Sequence, residues 1–355
     1  MRVTDEGEGA TSSLGMFIAV AAAGLLALLF LFLLRGKRKR RSVEAAGRWV
    51  LVTGAASGFG RAVTRLLLEK RCRLFAVDLN KAQLLSEFGE EQGVITIVCD
   101  VTDPQQVSEM AKVVERELQG EPLFGVVNNA GIGLPPTSLV DHSEEEMLRV
   151  INVNALGMWR VSKALFPLLQ LQDNDYSKSG PRKITTRRKT HLDKSVGSCI
   201  VNVTSVAGRV ASAMMGSYAM SKFAGEALTD VLRQEMGPLG VRVVAIQPHF
   251  SDTGILGNAR LKMEDQGGGS GSCHPLWDGM ARHSLAWLQE KVKLLPAEQT
   301  AKEIVDCLFD PQCPSRVLVC WRKDRFALRF LWPLLSDRLR DRILLFQTLP
   351  PTTNK

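Results

Sequence analysis

From Arg48 onward the sequence alternates short, continuous apolar runs with longer stretches of helical period. This rhythm constrains the fold more than any single residue does. "WVLVTG", "RLFAVD", "VITIVCD", "LFGVVNN", "SCIVNVTS" and "VRVVAIQP" read as six strands, and "SRVLVCW" as a seventh. Helical patterns fall between them over Phe59–Glu69, from about Lys81, over Pro104–Leu118, over Glu144–Leu169 and across Met215–Met236. Strands without polar alternation are buried on both faces, and strands separated by helices run parallel. The expected architecture is α/β, with a doubly wound parallel sheet that binds ligands at the carboxyl ends of its strands. No internal repeat breaks this reading.

The 355 residues suffice for a substantial core. The formal charge of +8 suggests nucleic acid until its distribution is examined. "RGKRKRR" at 35–41 and a basic stretch at 171–196 carry the excess, and the remaining body is formally neutral. A basic groove for nucleic acid is therefore not expected. The seven cysteines form no CxxC and are odd in number, which suits reduced thiols facing the cytosol. The five histidines form no HExxH and no close cluster, so no metal site is expected.

Ahead of the body, Leu14 to Leu34 is a run without one polar side chain, long enough as a helix to cross a bilayer. A cleaved signal peptide is the rival reading. The acidic N-terminal flank, the length of the run and the basic residues that follow it favour an uncleaved anchor. Those basic residues place the chain after the span in the cytosol and residues 1–13 in the lumen. The same run could be a nuclear signal, but beside a span it reads as facing lipid headgroups. The expected organisation is an anchor at 14–34, a basic linker at 35–47, a catalytic domain at 48–322 and an amphipathic tail at 323–355. Within the domain, 171–196 reads as a surface loop and 250–295 as a substrate loop with a flexible centre, "DQGGGSGSC".

"TGAASGFG" at 53–60 follows the first strand and opens a helix. Gly54, Gly58 and Gly60 permit a tight turn and close approach of backbone to a pyrophosphate, in the Rossmann manner. Asp78 ends the second strand, where its carboxylate can accept both hydroxyls of a ribose and would repel a 2′-phosphate. No arginine stands beside Asp78 or just before Gly58. NAD is thus expected over NADP. The alternative for Asp78 is a cap on the next helix. Further on, Lys222 stands one helical turn after Tyr218 in "YAMSK", on the same face. A lysine there, with the positive charge of a bound nicotinamide, should favour the phenolate and make tyrosine a usable base near neutral pH.

These elements, with "DV" at 100–101, "NNAG" at 128–131, "NALG" at 154–157 and Ser205 thirteen residues before Tyr218, resemble the classical short-chain dehydrogenase/reductase family. "PHFSDT" at 248–253 is similar to that family's PGxxxT element, with His249 in place of the glycine. The resemblance implies catalysis by Tyr218, Lys222, Ser205 and Asn154. Asn154 would support a water connecting Lys222 to solvent; a helix-bending role, or Asn152 in its stead, stays open. The resemblance also implies cofactor contacts from Gly54, Ser57, Gly58, Phe59, Gly60, Asp78, Asp100, Val101, Asn129, Ala130, Gly131, Pro248 and Thr253, besides Tyr218 and Lys222. Asn128 would brace the sheet. His249 reads as an extra acid, as a substrate contact or as a packing residue.

"SGFG", "LFGVVNNAGI", the apolar run and the tail "KDRFALRFLWPLLSDRLRDRILL" are most similar to the membrane-anchored retinol and hydroxysteroid dehydrogenases. That implies an endoplasmic reticulum membrane enzyme acting on a hydrophobic alcohol or ketone, with a homodimer implied by the family. The tail could lie on a bilayer or pack on the body. The competing readings are an NADPH-dependent lipid ketone reductase, which Asp78 disfavours, and a catalytically silent scaffold, which intact Ser205, Tyr218 and Lys222 argue against.

Overall fold

The computed structural model describes residues 42–171, 197–253 and 272–349. The apolar run at 14–34, the basic linker to residue 41, nearly all of the 171–196 insertion and the flexible centre of the 250–295 segment lie outside them. Among the described residues, no helix is long and apolar enough to cross a membrane.

Seven parallel strands form one sheet in the order β3-β2-β1-β4-β5-β6-β7. They are β1 (Trp49–Thr53), β2 (Arg73–Asp78), β3 (Val94–Val98), β4 (Leu123–Asn128), β5 (Cys199–Val203), β6 (Arg242–Pro248) and β7 (Arg316–Val319). β1 pairs with both β2 and β4, so the chain reverses its direction of winding there. The crevice above that reversal is where an open α/β sheet binds its ligand.

The continuous apolar runs divide by alternation between two layers. Val50 and Val52 of β1 face one core, with Leu74 and Ala76 of β2. That core is closed by Val63 and Leu67 of α1 (Gly58–Glu69), Leu84 and Phe88 of α2 (Lys81–Phe88) and Ile304 and Leu308 of α8 (Ala297–Phe309). Trp49 and Leu51 face the other, with Phe75 and Val77. There Val107, Met110, Val114 and Leu118 of α3 (Pro104–Leu118) recur at helical spacing. Burying both faces of each strand excludes an exposed register. Asp103 caps α3 by accepting from the amides of Gln105 and Gln106, and Pro104 fills the first helical position, where no amide is needed.

Two elements differ from the sequence reading. The single helix expected over Glu144–Leu169 is α4 (Glu144–Ile151) and α5 (Met158–Leu165), joined by a wider π-helical turn over Asn152–Gly157. Six residues there share the apolar period of their flanks, so no sequence break marks the turn. The 250–295 substrate segment is not simply a loop: Pro275–Glu290 forms α7. His274 caps it through Nδ1, which accepts from the Leu276 amide, and Met280, Ala281, Ser284 and Leu288 lie buried along one side.

The tail continues from β7 as a short helix α9 (Arg322–Phe326) and, after irregular turns, as α10 (Asp337–Thr348), which contacts α7. The tail thus packs on the body through α10 while Leu339, Ile343 and Leu345 remain exposed.

Candidate active site

The cofactor end is built around β1 and β4. Thr53, the last residue of β1, accepts through Oγ1 from the amides of Asn129 and Ala130, each at 3.0 Å. Asn129 Nδ2 donates back to the carbonyls of Thr53 and Gly54, at 2.9 and 3.1 Å. The "NNAG" segment is thereby tied to the glycine turn. A Cβ on Gly60 would sit 1.9 Å from the Gly54 carbonyl, and one on Gly54 would sit 2.9 Å from Asn129 Nδ2. Gly54 and Gly58 also occupy the left-handed region, at φ 64° and 50°.

Helix α1 begins at this turn. Its first flanking residue, Ser57, is exposed and makes no capping bond, whereas Asn80, Asp103 and Ser143 cap α2, α3 and α4. An uncapped N-terminus above glycine turns presents free amides and a positive dipole end, which suits a pyrophosphate. Asp78 Oδ2 accepts from the Ala56 amide at 2.9 Å, and Oδ1 accepts from Asn80 at 2.9 Å. The capping alternative for Asp78 is corrected, because Asn80 is the residue that caps α2. Asp100 Oδ1 accepts from the Thr102 amide and hydroxyl, both at 2.8 Å. Phe59 packs on the core, and Val101 is buried with its side chain against Gly157. Thr253 lies over the turn, 3.5 Å from where a Gly58 Cβ would be.

The catalytic end is built around β5 and the helix that follows it, α6 (Gly216–Met236). Ser205 follows β5, and its hydroxyl donates to the Pro248 carbonyl at the end of β6, at 3.4 Å. Lys222 is 5 % exposed, and Nζ donates to the Val203 carbonyl at 3.1 Å. It stands 5.5 Å from the centre of the Tyr218 ring. Asn154 is buried inside the π-helical turn. Its Oδ1 accepts from the Ile132 amide at 2.8 Å, and its Nδ2 donates to the Ile132 carbonyl at 2.9 Å and to Ser221 at 3.0 Å. Gly131 separates Asn154 from Lys222: a Cβ there would lie 3.2 Å from Asn154 Oδ1 and 3.7 Å from Lys222 Nζ. Asn154 therefore lies within the bend, with Gly131 between it and Lys222. Asn128 braces the sheet as expected, donating to Ser162 at 2.9 Å and to Asn202 of β5 at 2.8 Å.

Burial shifts both titratable groups of the pair. Burial raises the Tyr218 phenol above its ordinary range, and its hydrogen bond with Ser205 opposes that rise. Burial also lowers Lys222 itself to about 8, with Glu226 opposing the shift. The lysine cannot be read as a fixed charge whose only effect is on its neighbour.

Glu226 was not singled out by the sequence reading. It stands one turn beyond Lys222 and is 7 % exposed. One oxygen accepts from Thr204 at 2.5 Å, and the other from Arg316 Nε at 2.8 Å. Arg316 also binds Asp230 at 2.5 Å. The period Tyr218, Lys222, Glu226, Asp230 was visible in the sequence, but an arginine from β7 gives it meaning.

His249 stacks edge-on against Phe250 at 4.7 Å, and its amide donates to Val319 of β7 at 2.8 Å. Burial lowers its pKa, so the ring is neutral at physiological pH. Phe250 in turn meets Trp287 of α7 at 6.2 Å. Met214, Met280 and Ala281 form a separate buried apolar cluster, with Trp277 against it. The residue in the glycine position is thus a packed part of an aromatic wall.

The penalty on Lys222 carries a prediction. Its folded pKa lies below the unfolded value of 10.5, so the folded state resists protonation. Destabilisation is complete below about pH 8 and fades as pH rises from 8 to 10.5, because there the unfolded chain holds the extra proton. Lys222→Met removes this cost but strands the Val203 carbonyl. A net gain on the order of 1–2 kcal/mol is expected at pH 7, shrinking toward pH 10. Thermal unfolding across pH checks it; a variant equally or less stable at pH 7 contradicts the assignment.

A glycine cradle at a sheet reversal and a Ser–Tyr–Lys group at the strand ends define a dinucleotide-type oxidoreductase site. A family model described as short chain dehydrogenase matches residues 48–264, and the chain belongs to that family. Retinol dehydrogenase 5 of Mus musculus is 35% identical over 222 residues, which cover 61% of each chain. The match thus spans less than two thirds of that relative. Retinol dehydrogenase 16 of Mus musculus is 33% identical over 245 residues, 68% of each chain. Human 17-beta-hydroxysteroid dehydrogenase type 6 is 29% identical over 228 residues, 63% of each. Among solved structures, a short-chain dehydrogenase/reductase from Burkholderia phymatum in complex with NAD superposes with a TM-score of 0.63. It is 22% identical, over 87% of this chain and 99% of that one, and supports the fold alone.

Proposed function

We propose that this protein is a membrane-anchored, NAD-dependent oxidoreductase that interconverts a hydrophobic alcohol, of the steroid, retinoid or related lipid kind, with its carbonyl form. The observation that carries the reading is the convergence of Tyr218, Lys222 and Ser205 at the ends of β5 and β6, beside a glycine cradle of fitting chemistry. The nicotinamide supplies the hydride acceptor when bound. Ser205 holds the substrate oxygen, and Tyr218 takes its proton. Lys222 binds the nicotinamide ribose and passes the proton on. A water beside Asn154 links it to solvent. Cofactor contacts come from Gly54, Ser57, Gly58, Gly60, Asp78, Asp100, Asn129, Ala130, Gly131, Pro248 and Thr253, with Phe59 and Val101 acting through their backbones.

The names of the similar retinol and hydroxysteroid dehydrogenases support the substrate class. The aromatic wall of Phe250 and Trp287 suits an apolar ring system. Residues 14–34 anchor the chain in the endoplasmic reticulum membrane, followed by the linker at 35–47, a cytosolic catalytic domain at 48–322 and the tail at 323–355. Leu148 and Trp159 on α4 and α5, with Phe223 and Val231 on α6, are exposed apolar residues that suit pairing into a homodimer.

Cofactor choice tests the reading. Purified protein is expected to bind NADH far more tightly than NADPH, because Asp78 would repel a 2′-phosphate. Asp78→Ala should shrink that preference by roughly ten-fold or more, as a lost charge repulsion worth ~1.4 kcal/mol implies. Fluorescence titration with both nucleotides decides. Tighter NADPH binding by the unaltered chain rejects the oxidative reading.

A further inference from the structure

We propose that Cys307 and Cys313 are a paired dithiol, a modification site that closes to a disulfide by exchange with glutathione disulfide. Their sulfurs lie 2.7 Å apart, only about 0.7 Å beyond the length of a covalent S–S bond. The pair sits at the far end of the sheet from the Ser–Tyr–Lys group, where α8 gives way to β7.

The turn between the two cysteines is held in place. The Cys313 amide donates to the Asp310 carbonyl at 3.0 Å, and the Gln312 amide donates to Asp310 Oδ1 at 2.9 Å. Arg242, at the start of β6, donates through Nη1 to the carbonyls of Cys307 and Asp310 and through Nη2 to that of Leu308. The guanidinium therefore clamps the end of α8 and the turn together. Both sulfurs are presented without the search an unfolded loop would need.

The two thiols differ in access. Cys307 is 2 % exposed, whereas Cys313 is partly exposed and borders an open cleft with Gly240, Arg242, Pro311 and Ser315. The bond to Cys313, and then burial, raise the Cys307 thiol well above its ordinary range. Entry is thus at Cys313 and resolution at Cys307. The Cys313 thiolate attacks one sulfur of glutathione disulfide, forming a mixed disulfide and releasing one glutathione thiolate. Cys307 then gives its proton to the released glutathione thiolate as it attacks Cys313 Sγ, and the second glutathione leaves as a thiolate. The protein dithiol is oxidised by two electrons, and glutathione disulfide is reduced to two glutathione molecules. The third nearby thiol, Cys199, donates to the Cys307 carbonyl at 3.8 Å and is fully buried, so it does not compete.

The full chain in detergent is treated with glutathione disulfide, alkylated and digested with trypsin. Cleavage after Lys302 and Arg316 leaves both cysteines in the single peptide Glu303–Arg316. The expected product is that peptide lighter by two hydrogens, unalkylated and restored by dithiothreitol. It should form roughly ten-fold faster in folded than in urea-unfolded chain, reflecting the preset approach of the sulfurs. In Cys313→Ser, Cys307 should stay a free thiol while the chain is folded. Three results overturn the proposal: both cysteines alkylated in the treated native chain, a persistent glutathione on Cys313 with Cys307 alkylated, or equal rates folded and unfolded. Glutathione on Cys307 in the Cys313→Ser variant overturns the order of attack.

Discussion

Tyr218→Phe is expected to lower turnover by roughly 10³-fold, because the substrate proton loses its only acceptor in the proposed step. The ring itself remains, so its packing and its 5.5 Å approach to Lys222 are kept. Cofactor affinity should change by less than about three-fold, under 1 kcal/mol. The separation of the two readouts is the test. Loss of turnover together with loss of nucleotide binding would point to a collapsed site. Survival of turnover would remove Tyr218 from the chemistry. The raised phenol of the free site adds a condition. A positive nicotinamide beside Tyr218 opposes that rise. The variant should therefore be compared at saturating cofactor.

Gly60→Ala is expected to have the second large effect, at the other end of the site. Its Cβ would fall 1.9 Å from the Gly54 carbonyl and 2.6 Å from Asn129 Nδ2. The first is backbone, and the second is a side-chain amide held by two hydrogen bonds. The carbonyl is fixed by the turn, and the amide bonds both Thr53 and Gly54. Opening the turn moves the amides of α1 away from a pyrophosphate, so NADH affinity should fall roughly 100-fold for ~3 kcal/mol of overpacking. The melting temperature should fall as well, because "NNAG" and the glycine turn are one bonded unit. Calorimetric titration and thermal unfolding measure the two effects. Unchanged affinity would show that the turn does not hold the nucleotide.

The sheet was legible because its strands are buried on both faces, which leaves unbroken apolar runs such as "WVLVT" and "VVAIQP". The placement of several candidate residues along a strand or helix was legible too. Gly54, Gly60, Asp78, Tyr218 and Lys222 all stand at strand ends or on one helix face. What escaped depends on contacts between distant segments. The π-helical turn at Asn152–Gly157 keeps the apolar period of its neighbours while turning Asn154 inward. Glu226 acquires its partners from Thr204 and from Arg316, ninety residues away. Helix α7 follows a glycine-rich stretch and reads as part of a loop until its buried side is seen. The pKa of Lys222 is likewise a property of burial, which spacing alone does not give. With the lysine enclosed in the site, its own charge is disfavoured by burial and its pKa falls to about 8.

His249 shows the limit in the opposite direction. A histidine in place of a glycine invites a chemical role, yet its amide pairs with β7 and its ring packs on Phe250. A packing residue and a substrate contact have the same appearance in a sequence. Here the ring packs within the same aromatic wall that the proposed substrate would meet.

The central claim is that the Tyr218 site moves hydride between NAD and a hydrophobic alcohol. The most direct measurement is NADH formation by the full chain in lipid vesicles, with a retinoid and a hydroxysteroid offered in turn with NAD+ or NADP+. The account predicts NADH formation with at least one of these alcohols, faster than NADPH formation with the same alcohol, and abolished in Tyr218→Phe. Reduction of neither nucleotide by either alcohol, or equal rates from the Tyr218→Phe chain, would contradict it.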